Sequence, residues 1–493
     1  MDTHVVSSTR VNARRVQDLP GPAPWPLLGN LLQIQRDRMH LQLEAWAQQY
    51  GDVFRFRLAN RRFVAFANHD AIASILRDRP DVFRRTSRLE QTAREFGFNG
   101  LFSSNGDDWR RQRPMVLSGL DPTHVRSFFP TLVKVTDRLA CRWQAASDRG
   151  EPIDLQSDLM RYTVDVTAGL AFGVDINTLE SREEVIQQHL DKVFPQLFRR
   201  LLAPFPYWRV VKLPTDRAFD RHLVALHRAV SDFIQGARRS LEAHPERRME
   251  PTNLVEALVA ARDRDGSRLN DDDVSGNILT LLLAGEDTTA NTLGWLTWLL
   301  KRNPAALARA EAEVLAAAAP DRAPRNLKAH TDLARLEYVE ACANEAMRLR
   351  PVAPINVLEA ACDTVVGGVA VPKGALVVCL MRPAAVDARH FPDPEAFRPE
   401  RWTGSDAQAE SSSSPKRISM PFGAGPRMCP GRYLAIAEIK IVTAMLLANF
   451  EIDSVTTRDG REVRERLAFA MSPVGLTMRL RRRGERPAPG RPA

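Results

Sequence analysis

Cysteine, lysine and tyrosine are scarce in this chain of 493 residues. The five cysteines are scattered and form no Cys-x-x-Cys pair, which argues against a disulfide framework and favours a reducing compartment. Lysine supplies only eight of the 69 basic residues, so arginine carries the excess of nine positive charges over the 60 acidic residues. This arginine-rich composition favours a bacterial source, and the charge is too dilute to indicate nucleic-acid binding.

The sequence also lacks an uninterrupted apolar run long enough to span a membrane. Its first 15 residues are polar, which argues against a secretory signal. The most apolar stretch, residues 274–300, carries Glu286 and Asp287 at its centre, where two carboxylates would be costly inside a bilayer. We therefore expect a cytoplasmic protein without an integral membrane anchor, in which this stretch is a buried helix.

Apolar periodicity predicts a mainly α-helical fold with small β-sheets. Helical spacing dominates residues 122–349 and returns from Gly431 to about Asn449. Short strands are predicted at Val53–Phe56, Phe63–Phe66, Val365–Val371 and Leu376–Leu380.

A single catalytic domain is expected over residues 19–478. A flexible segment, residues 1–18, is expected before it, and a basic, disordered tail, residues 479–493, after it. Residues 382–428 are rich in proline and mostly irregular, and an irregular stretch of that length is typical of a functional loop.

The irregular stretch leads into Phe422-Gly-Ala-Gly-Pro-Arg-Met-Cys-Pro-Gly431. Because proline is favoured at the first position of a helix, Cys429 is predicted at the N-cap of the following helix, where the helix dipole stabilises a thiolate. Gly423 permits a tight turn that directs backbone N–H groups at the sulfur, and Arg427 places a cation nearby. These features indicate a metal-bound thiolate rather than an inert buried cysteine.

This loop resembles the haem-binding signature of the cytochrome P450 family. The resemblance implies haem b as the cofactor, with Cys429 as the ligand of its iron. It also implies the P450-like fold, in which a long central helix lies over the haem and the thiolate loop lies beneath it. The loop residues expected to contact the haem are Phe422, Gly423, Arg427 and Gly431.

The segment Ala284-Gly-Glu-Asp-Thr-Thr289 matches the central-helix motif of the same family. Ala284 and Gly285 leave room for a diatomic ligand beside the backbone, and the Thr288 hydroxyl can bond back to the carbonyl of Ala284. Asp287 and Thr288 offer an acid and an alcohol for proton transfer. The resemblance therefore implies that Thr288 and Asp287 are catalytic and that Ala284 and Gly285 adjoin the haem.

The segment Trp109-Arg-Arg-Gln-Arg113 resembles the family's Trp-x-x-x-Arg motif. Trp109 and Arg113 lie on one helix face, from which both can reach a haem propionate. One departure is Leu358, which stands where many family members have a propionate-binding arginine. That propionate is therefore held by another residue or is more exposed.

Glu345-Ala-Met-Arg348 has the spacing of an ordinary ion pair on the surface of a helix. In the family, such a pair is buried and joins an arginine of a Pro-Glu-Arg-Trp/Phe motif, which is Pro399-Glu-Arg-Trp402 here. The resemblance implies that Glu345, Arg348 and Arg401 form a structural network that fixes the segment leading to Cys429.

The chemistry implied by the resemblance is monooxygenation of a lipophilic molecule by O2. Electrons from NAD(P)H would come indirectly, through an acidic ferredoxin or flavodoxin with its reductase. Basic residues near the thiolate side would suit such a partner; these are Arg110, Arg111, Lys416, Arg417, Arg432 and Lys440. No reductase module is recognised within the chain.

The substrate pocket is predicted from apolar and aromatic side chains that lack a charged clamp. These side chains suit a fatty acid, a terpenoid, a steroid or a polyketide equally, so lipid metabolism and secondary metabolism both stay open. The candidate lining residues are Phe96, Phe98, Phe102, Phe198, Ile355, Val357 and Met471.

Two alternatives to a monooxygenase stay open at this point. One is a family member that acts as a peroxygenase or rearrangement enzyme, although such members typically lose the acid–alcohol pair. The other is a haem protein that binds or senses a ligand without turnover.

Overall fold

The computed structural model describes residues 13–180, 185–190, 192–264, 269–318, 324–404 and 414–484. Over these residues the chain is mainly helical, with small β-sheets, as the apolar periodicity predicts. Part of each predicted terminal segment, namely residues 1–12 and 485–493, lies outside the described residues.

The helices follow one another closely, and the helical spacing predicted between residues 122 and 349 is confirmed. Their bounds are α1 Met39–Tyr50, α2 His69–Arg77, α3 Ser87–Glu95, α4 Gly106–Ser118, α5 Pro122–Asp148, α6 Leu155–Phe172, α7 Val185–Leu190, α8 Val193–Leu202, α9 Pro214–Ala243, α10 Leu254–Asp263, α11 Asp271–Arg302, α12 Pro304–Ala317, α13 Glu337–Leu349, α14 Met381–Ala385, α15 Pro415–Ser419 and α16 Arg432–Asn449.

The apolar stretch around Glu286 is the 32-residue helix α11. Its start is fixed by a reciprocal cap, in which the side chains of Asn270 and Asp273 each accept a hydrogen bond from the other residue's backbone N–H. Asp273 also accepts hydrogen bonds from Arg111 and Gln112 of α4, at 2.9 and 2.8 Å. Of the helices in the described residues, none is long and apolar enough to cross a membrane.

Helix α6 packs closely against the middle of α11. A Cβ atom on Gly285 would lie 2.3 Å from the hydroxyl oxygen of Thr167, so this contact requires glycine. Thr163 of α6 donates a hydrogen bond to the backbone carbonyl of Glu286 at 2.9 Å. The two helices are therefore locked together at the level of the predicted central-helix motif.

The strands form small sheets, and their bounds are β1 Arg14–Arg15, β2 Val53–Leu58, β3 Arg61–Phe66, β4 Phe83–Arg85, β5 Ile153–Asp154, β6 Ile355–Ala360, β7 Thr364–Val366, β8 Val369–Val371, β9 Leu376–Leu380, β10 Phe450–Thr457, β11 Glu465–Ala468, β12 Ala470–Pro473 and β13 Leu476–Arg482. The largest sheet has the order β2-β3-β9-β6-β4, with β3 and β9 parallel. Its edge strand β4 pairs antiparallel with β6, and Arg85 stands directly opposite Leu358.

Three sequence predictions about local structure need correction. The stretch 365–371 is a hairpin rather than one strand, because Gly367 and Gly368 have positive φ angles of 55° and 71° and turn the chain. The irregular stretch 382–428 contains a helical turn at Pro399–Trp402 and helix α15, and its start lies in α14. Ordered structure also reaches into both predicted terminal segments, because β1 pairs with β8 and β13 runs to Arg482.

Candidate active site

The sequence predicts Cys429 at the N-cap of the following helix. In the structure, Cys429 lies instead in the loop that leads into α16. Pro430 and Gly431 form a turn, so Gly431 is the N-cap and the helix begins only at Arg432. The prediction was wrong by two residues because proline starts a turn as readily as a helix.

The loop before Cys429 is closed by its own backbone and packs against α2. The N–H of Cys429 donates to the carbonyl of Phe422 at 3.0 Å. Gly423 and Gly425 have φ angles of 75° and 71°. A Cβ atom on Gly425 would lie 2.6 Å from the carbonyl oxygen of Leu76, so the loop lies directly on the end of α2.

The surroundings of the Cys429 sulfur act on its charge in both directions. The side chain is accessible at its surface, yet enough protein surrounds it that burial raises the pKa of the thiol. The N–H of Gly431 and the guanidinium groups of Arg113 and Arg432 act the other way and lower this pKa. Burial is the larger effect, so the pKa of the free thiol stays above its ordinary value, and one hydrogen-bond donor and two cations partly offset this in favour of the thiolate, which is the metal-binding form.

Cys429 does not belong to a protein-only metal site in the part of the chain that the structure describes. No group of three or more histidine, cysteine, aspartate or glutamate side chains is arranged there to hold a metal ion. A metal on the Cys429 sulfur would therefore take its other ligands from a bound cofactor.

Four arginine side chains, which we call the arginine cluster, converge beside this loop. They are Arg79 after α2, Arg85 of β4, Arg113 of α4 and Arg427 of the loop itself. Each donates to backbone carbonyls: Arg79 to Leu76 and Ala424, Arg85 to Phe102, Arg113 to Met428 and Arg427 to Ser104. None of the four forms an ion pair with a carboxylate of the described residues.

The arginine cluster carries more positive charge than its surroundings balance. Burial and the neighbouring guanidinium groups lower the pKa of Arg427 to about 9, and burial lowers that of Arg79 to about 10. For Arg85, burial together with Arg427 and Arg79 lowers the pKa well below its ordinary value. The Nε of Arg427 and the hydroxyl of Ser104 are buried without a hydrogen-bond partner among the described residues. Such a cluster fits a buried group with more than one negative charge.

Trp109 stands beside the same cluster. Its side chain is buried, and the guanidinium of Arg427 lies 5.0 Å from the centre of its ring. Arg113, one turn further along α4, donates to the carbonyl of Met428 at 2.6 Å. The structure thus brings the pair Trp109 and Arg113 together with the pair Arg427 and Cys429, more than 300 residues away in the sequence.

Ala284 lies near the middle of helix α11. This residue is exposed, although most of the surrounding helix is buried. The Thr288 hydroxyl donates to the carbonyl of Ala284 at 3.0 Å, which is the hydrogen bond that the sequence predicts. Asp287 is half-buried beside it. Gly285, in contrast, faces α6, so its smallness serves helix packing rather than access to the backbone.

A buried carboxyl group connects α11 with α16. Glu438 hydrogen-bonds the side chain of Thr289, and burial raises the pKa of this carboxyl group well above its ordinary value. The contact fixes the helix that follows Cys429 against the helix that carries Thr288. Glu438 was not singled out in the sequence, because a glutamate in a helix is most often exposed.

The predicted network around Glu345 is assembled completely. Its two carboxylate oxygens accept hydrogen bonds from Arg348 at 2.7 and 2.8 Å and from Arg401 at 3.2 Å. The indole N–H of Trp402 and the backbone N–H of Arg398 complete this shell at 2.9 Å each. Arg348 also donates to three carbonyls between residues 385 and 396, so the network fixes the irregular segment.

A sequence profile described as Cytochrome P450 matches residues 19–479. The chain belongs to the cytochrome P450 family. Members of this family are haem-dependent monooxygenases that use O2 and take electrons from redox partners. The Cys429 thiol and the arginine cluster fit a haem, since a cysteine thiolate can ligate iron and a group of arginines can pair with two carboxylates.

The curated relatives of this P450 are distant but match it over most of their length. It is 27% identical to cyclooctat-9-en-7-ol 5-monooxygenase of Streptomyces melanosporofaciens, over 88% of this chain and 89% of the relative. It is also 27% identical to cyclooctatin synthase of the same organism, over 93% and 94%. Rabbit cytochrome P450 3A6 is 26% identical, over 88% and 85%.

Three phenylalanines from separate elements meet in a row that we call the aromatic row. Phe469, in the turn between β11 and β12, stacks on Phe194 of α8 at 4.8 Å and contacts Phe102 edge-on at 5.6 Å. Arg85 lies 4.3 Å from the ring of Phe102 and so connects the row with the arginine cluster. Phe469 holds a positive φ of 91°, which is uncommon outside glycine.

The predicted pocket residues of this P450 divide into two groups. Phe96, Phe98 and Met471 are completely or almost completely buried in the core, where Phe96 packs on Phe98 and Phe219. The half-buried members, which keep some surface for a ligand, are Phe102, Phe198, Ile355 and Val357. The sequence analysis did not identify Phe469 as a pocket residue, because nothing in the sequence indicates that it is the turn residue between β11 and β12.

One predicted partner contact of this P450 has to be withdrawn. Lys440 is buried and pairs with Glu340 at 2.6 Å, so it is not available to a docking protein. Arg111 pairs with Asp273 and with Asp108. Lys416 and Arg417 are exposed on α15.

Proposed function

We propose that this P450 inserts one atom of O2 into a lipophilic small molecule, with haem b held between Cys429 and the arginine cluster. The observation that carries the proposal is the group of four buried or half-buried arginines that adjoins a thiol and lacks a carboxylate partner among the described residues. When bound, haem would supply the oxygen chemistry, and the protein would supply its ligand, its orientation and proton routing. We place this activity in one domain, residues 19–478, in the bacterial cytoplasm.

Each site residue then has a distinct role. Cys429 would ligate the iron, and Phe422, Gly423 and Gly431 would shape the loop around its sulfur. Ala284 would adjoin the haem, whereas Gly285 would serve the packing of α11 on α6. Thr288 would hold a proton at its hydroxyl, and Asp287 would replenish it.

The structure supports a candidate to replace the propionate-binding arginine that is absent at Leu358. Leu358 is buried, and its cross-strand partner Arg85 directs a guanidinium into the arginine cluster. We infer that Arg85 takes over the propionate from the neighbouring strand, together with Trp109, Arg113 and Arg427. Cross-strand partners lie only about 5 Å apart. An arginine at position 85 can therefore reach the same propionate as an arginine at position 358.

The substrate is proposed to be an apolar molecule, with a terpenoid as the first class to test. The aromatic row and its apolar neighbours support an apolar ligand, and the names of two bacterial relatives support the choice of class. An optical titration of the haem-loaded protein with terpenoids, fatty acids, steroids and macrolides tests this. A low-to-high-spin change confined to terpenoids supports the choice, and a change confined to another class overturns it.

Electrons are proposed to come from NAD(P)H through an acidic ferredoxin or flavodoxin and its reductase. The exposed cations Lys416 and Arg417 next to the thiolate loop support an acidic partner. The double variant K416E/R417E is expected to slow reduction by such a partner about tenfold at low salt, and less at high salt. Equal rates for both proteins would remove these residues from the docking site.

A ligand-binding protein without turnover is the alternative function. Product formation with a surrogate redox partner distinguishes it from a monooxygenase. A peroxygenase would instead form product from the substrate and hydrogen peroxide, and its product yield would not fall when the reductase is omitted.

A further inference from the structure

The connection between α3 and α4 lies directly on α11. A Cβ atom on Gly100 would lie 2.5 Å from the carbonyl oxygen of Gly276, and one on Gly276 would lie 2.9 Å from the backbone of Asn99. Two glycines therefore bring the two backbones into contact without a side chain between them. We call residues 99–104, which make this contact, the crossing loop.

A buried asparagine of α11 holds the crossing loop in place. The side chain of Asn277 is 1% exposed, and its carbonyl oxygen accepts a hydrogen bond from the backbone N–H of Leu101 at 2.9 Å. Its NH2 group donates to the side-chain carbonyl of Gln112, on α4, at 3.0 Å and to the backbone carbonyl of Asp273 at 2.7 Å. A single amide group thus joins α11, α4 and the crossing loop, with both of its N–H groups in use.

The residue after Leu101 is Phe102, a member of the aromatic row. The guanidinium of Arg85 donates to the carbonyl of Phe102 at 3.1 Å and lies 4.3 Å from the centre of its ring. The backbone that carries this half-buried ring is therefore held from two sides, by Asn277 through the N–H of Leu101 and by Arg85 through the carbonyl of Phe102.

We propose that Asn277 is a positioning residue for the ligand pocket, which fixes the Phe102 ring against an apolar substrate through the backbone of Leu101. The inference rests on the proposed function and adds a residue that acts through the crossing loop rather than by its own contact with substrate. Without the Asn277 amide, the buried N–H of Leu101 would lack its partner, so the crossing loop would leave α11 to regain one. Phe102 would move with the loop, and apolar ligands would bind more weakly.

The test compares imidazole and phenylimidazole in optical titrations of the haem-loaded protein. Both ligands bind the iron through a ring nitrogen, but only the phenyl group extends far enough to meet Phe102, so the parent should bind phenylimidazole more tightly. Asn277→Ala should weaken the binding of phenylimidazole about tenfold, the size of one lost aromatic contact, and that of imidazole less than about twofold. Phe102→Ala should show the same selective loss. The double variant should lose no more than Phe102→Ala alone, because both substitutions act on one contact.

Asn291→Ala is the matched control. Asn291 is a second buried asparagine of α11, 2% exposed, and its side-chain carbonyl accepts a hydrogen bond from Gln156 of α6 at 3.0 Å. Its loss should lower the thermal stability as Asn277→Ala does, while the ratio of the two ligand affinities stays that of the parent. Hydrogen exchange at the Leu101 amide should accelerate in Asn277→Ala and not in Asn291→Ala.

Three results would overturn the positioning role of Asn277. They are an affinity ratio in Asn277→Ala equal to that of the parent, an equal change of the ratio in Asn291→Ala, and additive losses in the double variant. Phe102→Ala tests the same claim if Asn277→Ala does not retain haem, and an unchanged ratio in Phe102→Ala would also overturn it. A parent protein whose haem binds neither ligand would instead contradict the proposed function on which the inference rests.

Discussion

Two groups of buried and half-buried arginines in this molecule differ in how their charge is balanced. Around Glu345, the guanidinium groups of Arg348 and Arg401 meet a carboxylate whose two oxygens are fully hydrogen-bonded by the chain itself. In the arginine cluster, four guanidinium groups meet one another and backbone carbonyls, and no carboxylate of the described residues pairs with them.

The difference separates a region whose charges are balanced by the chain itself from a region whose charges await an anionic ligand. A buried charge without a partner is costly, so a chain keeps several of them only where another group repays the cost. The Glu345 network is complete and fixes the segment before the thiolate loop. The arginine cluster lacks a counter-charge among the described residues, which is why we propose it as the place where an anionic cofactor binds.

The largest expected effect comes from breaking the complete network. Glu345→Gln leaves Arg348 buried without a counter-charge, which should lower the free energy of unfolding by roughly 3–5 kcal/mol. Urea unfolding followed by circular dichroism measures this loss. Glu395→Gln is the control, because Glu395 has the same spacing to Arg398 but is exposed, and it should change stability by less than about 0.5 kcal/mol. Equal stability of the two variants would contradict the structural role of the network.

A second network of balanced charges, around Glu465, should make the free energy of unfolding depend on pH. Burial acts to raise the pKa of Glu465, but hydrogen bonds from His40 and Arg382 outweigh it and lower the pKa to about 2. Because the folded pKa lies below the unfolded value, this stabilisation is complete above about pH 4.5 and is lost as the pH falls towards 2.

Glu465→Gln should therefore cost about 3 kcal/mol at pH 7, with the difference from the parent vanishing near pH 2. Urea unfolding at several pH values measures it. Glu462→Gln, at an exposed side chain nearby, should follow the parent at every pH. A constant difference between Glu465→Gln and the parent would show that the carboxylate is not the titrating group.

Removing a charge from the arginine cluster should not destabilise the protein, in contrast to removing one from the two balanced networks. Arg85→Leu removes one of four mutually repelling charges, so the haem-free protein should keep its stability or gain some. The same variant would lose the proposed charge-assisted contact with a haem propionate, so its haem affinity should fall by about 2 kcal/mol, or roughly 30-fold. Thermal unfolding of the haem-free protein and transfer of haem to an acceptor globin measure the two effects.

Arg84→Leu is the matched control for Arg85→Leu. Arg84 is the preceding residue of β4 and pairs with Glu359 at 2.6 Å, so it belongs to a balanced site. Its loss should leave haem affinity unchanged and lower the stability slightly. The account of the cluster would be wrong if Arg84→Leu and Arg85→Leu weakened haem binding equally.

Thr288 provides the smallest expected effect. The Thr288 hydroxyl donates only to the carbonyl of Ala284 in the same helix, so Thr288→Ala should leave the fold intact. The yield of product per NAD(P)H consumed should fall about tenfold, because the variant lacks the hydroxyl proposed for proton transfer. Thr288→Ser keeps the hydroxyl and should restore most of that yield. Product, NAD(P)H and hydrogen peroxide are measured with a surrogate redox partner. Unchanged coupling in Thr288→Ala would remove this residue from proton transfer.

Sequence motifs predicted the parts of the site that are local in the chain. The loop around Cys429, the helix around Thr288 and the pair Glu345–Arg348 depend on fixed spacings, so the sequence shows them directly. The helix start after Cys429 was misplaced, because the choice between a turn and a helix after Pro430 depends on packing.

The parts that depend on contacts between distant segments could not be predicted. Arg79 and Arg85 are two of 61 arginines, and only the pairing of β4 with β6 shows that Arg85 stands opposite Leu358. Phe469 reaches the aromatic row through an uncommon backbone angle that no spacing indicates. Lys440 lies in a helix otherwise rich in apolar residues, and its burial follows from the salt bridge with Glu340.

The most direct test of the central claim is the spectrum of the reduced protein with carbon monoxide, compared between the parent and Cys429→Ser. The account predicts a thiolate-type absorption band in the parent and its loss in Cys429→Ser, with haem still retained through the arginine cluster. A thiolate-type band that persists in Cys429→Ser, or that is absent from the parent, would contradict the assignment of Cys429 as the ligand of the iron.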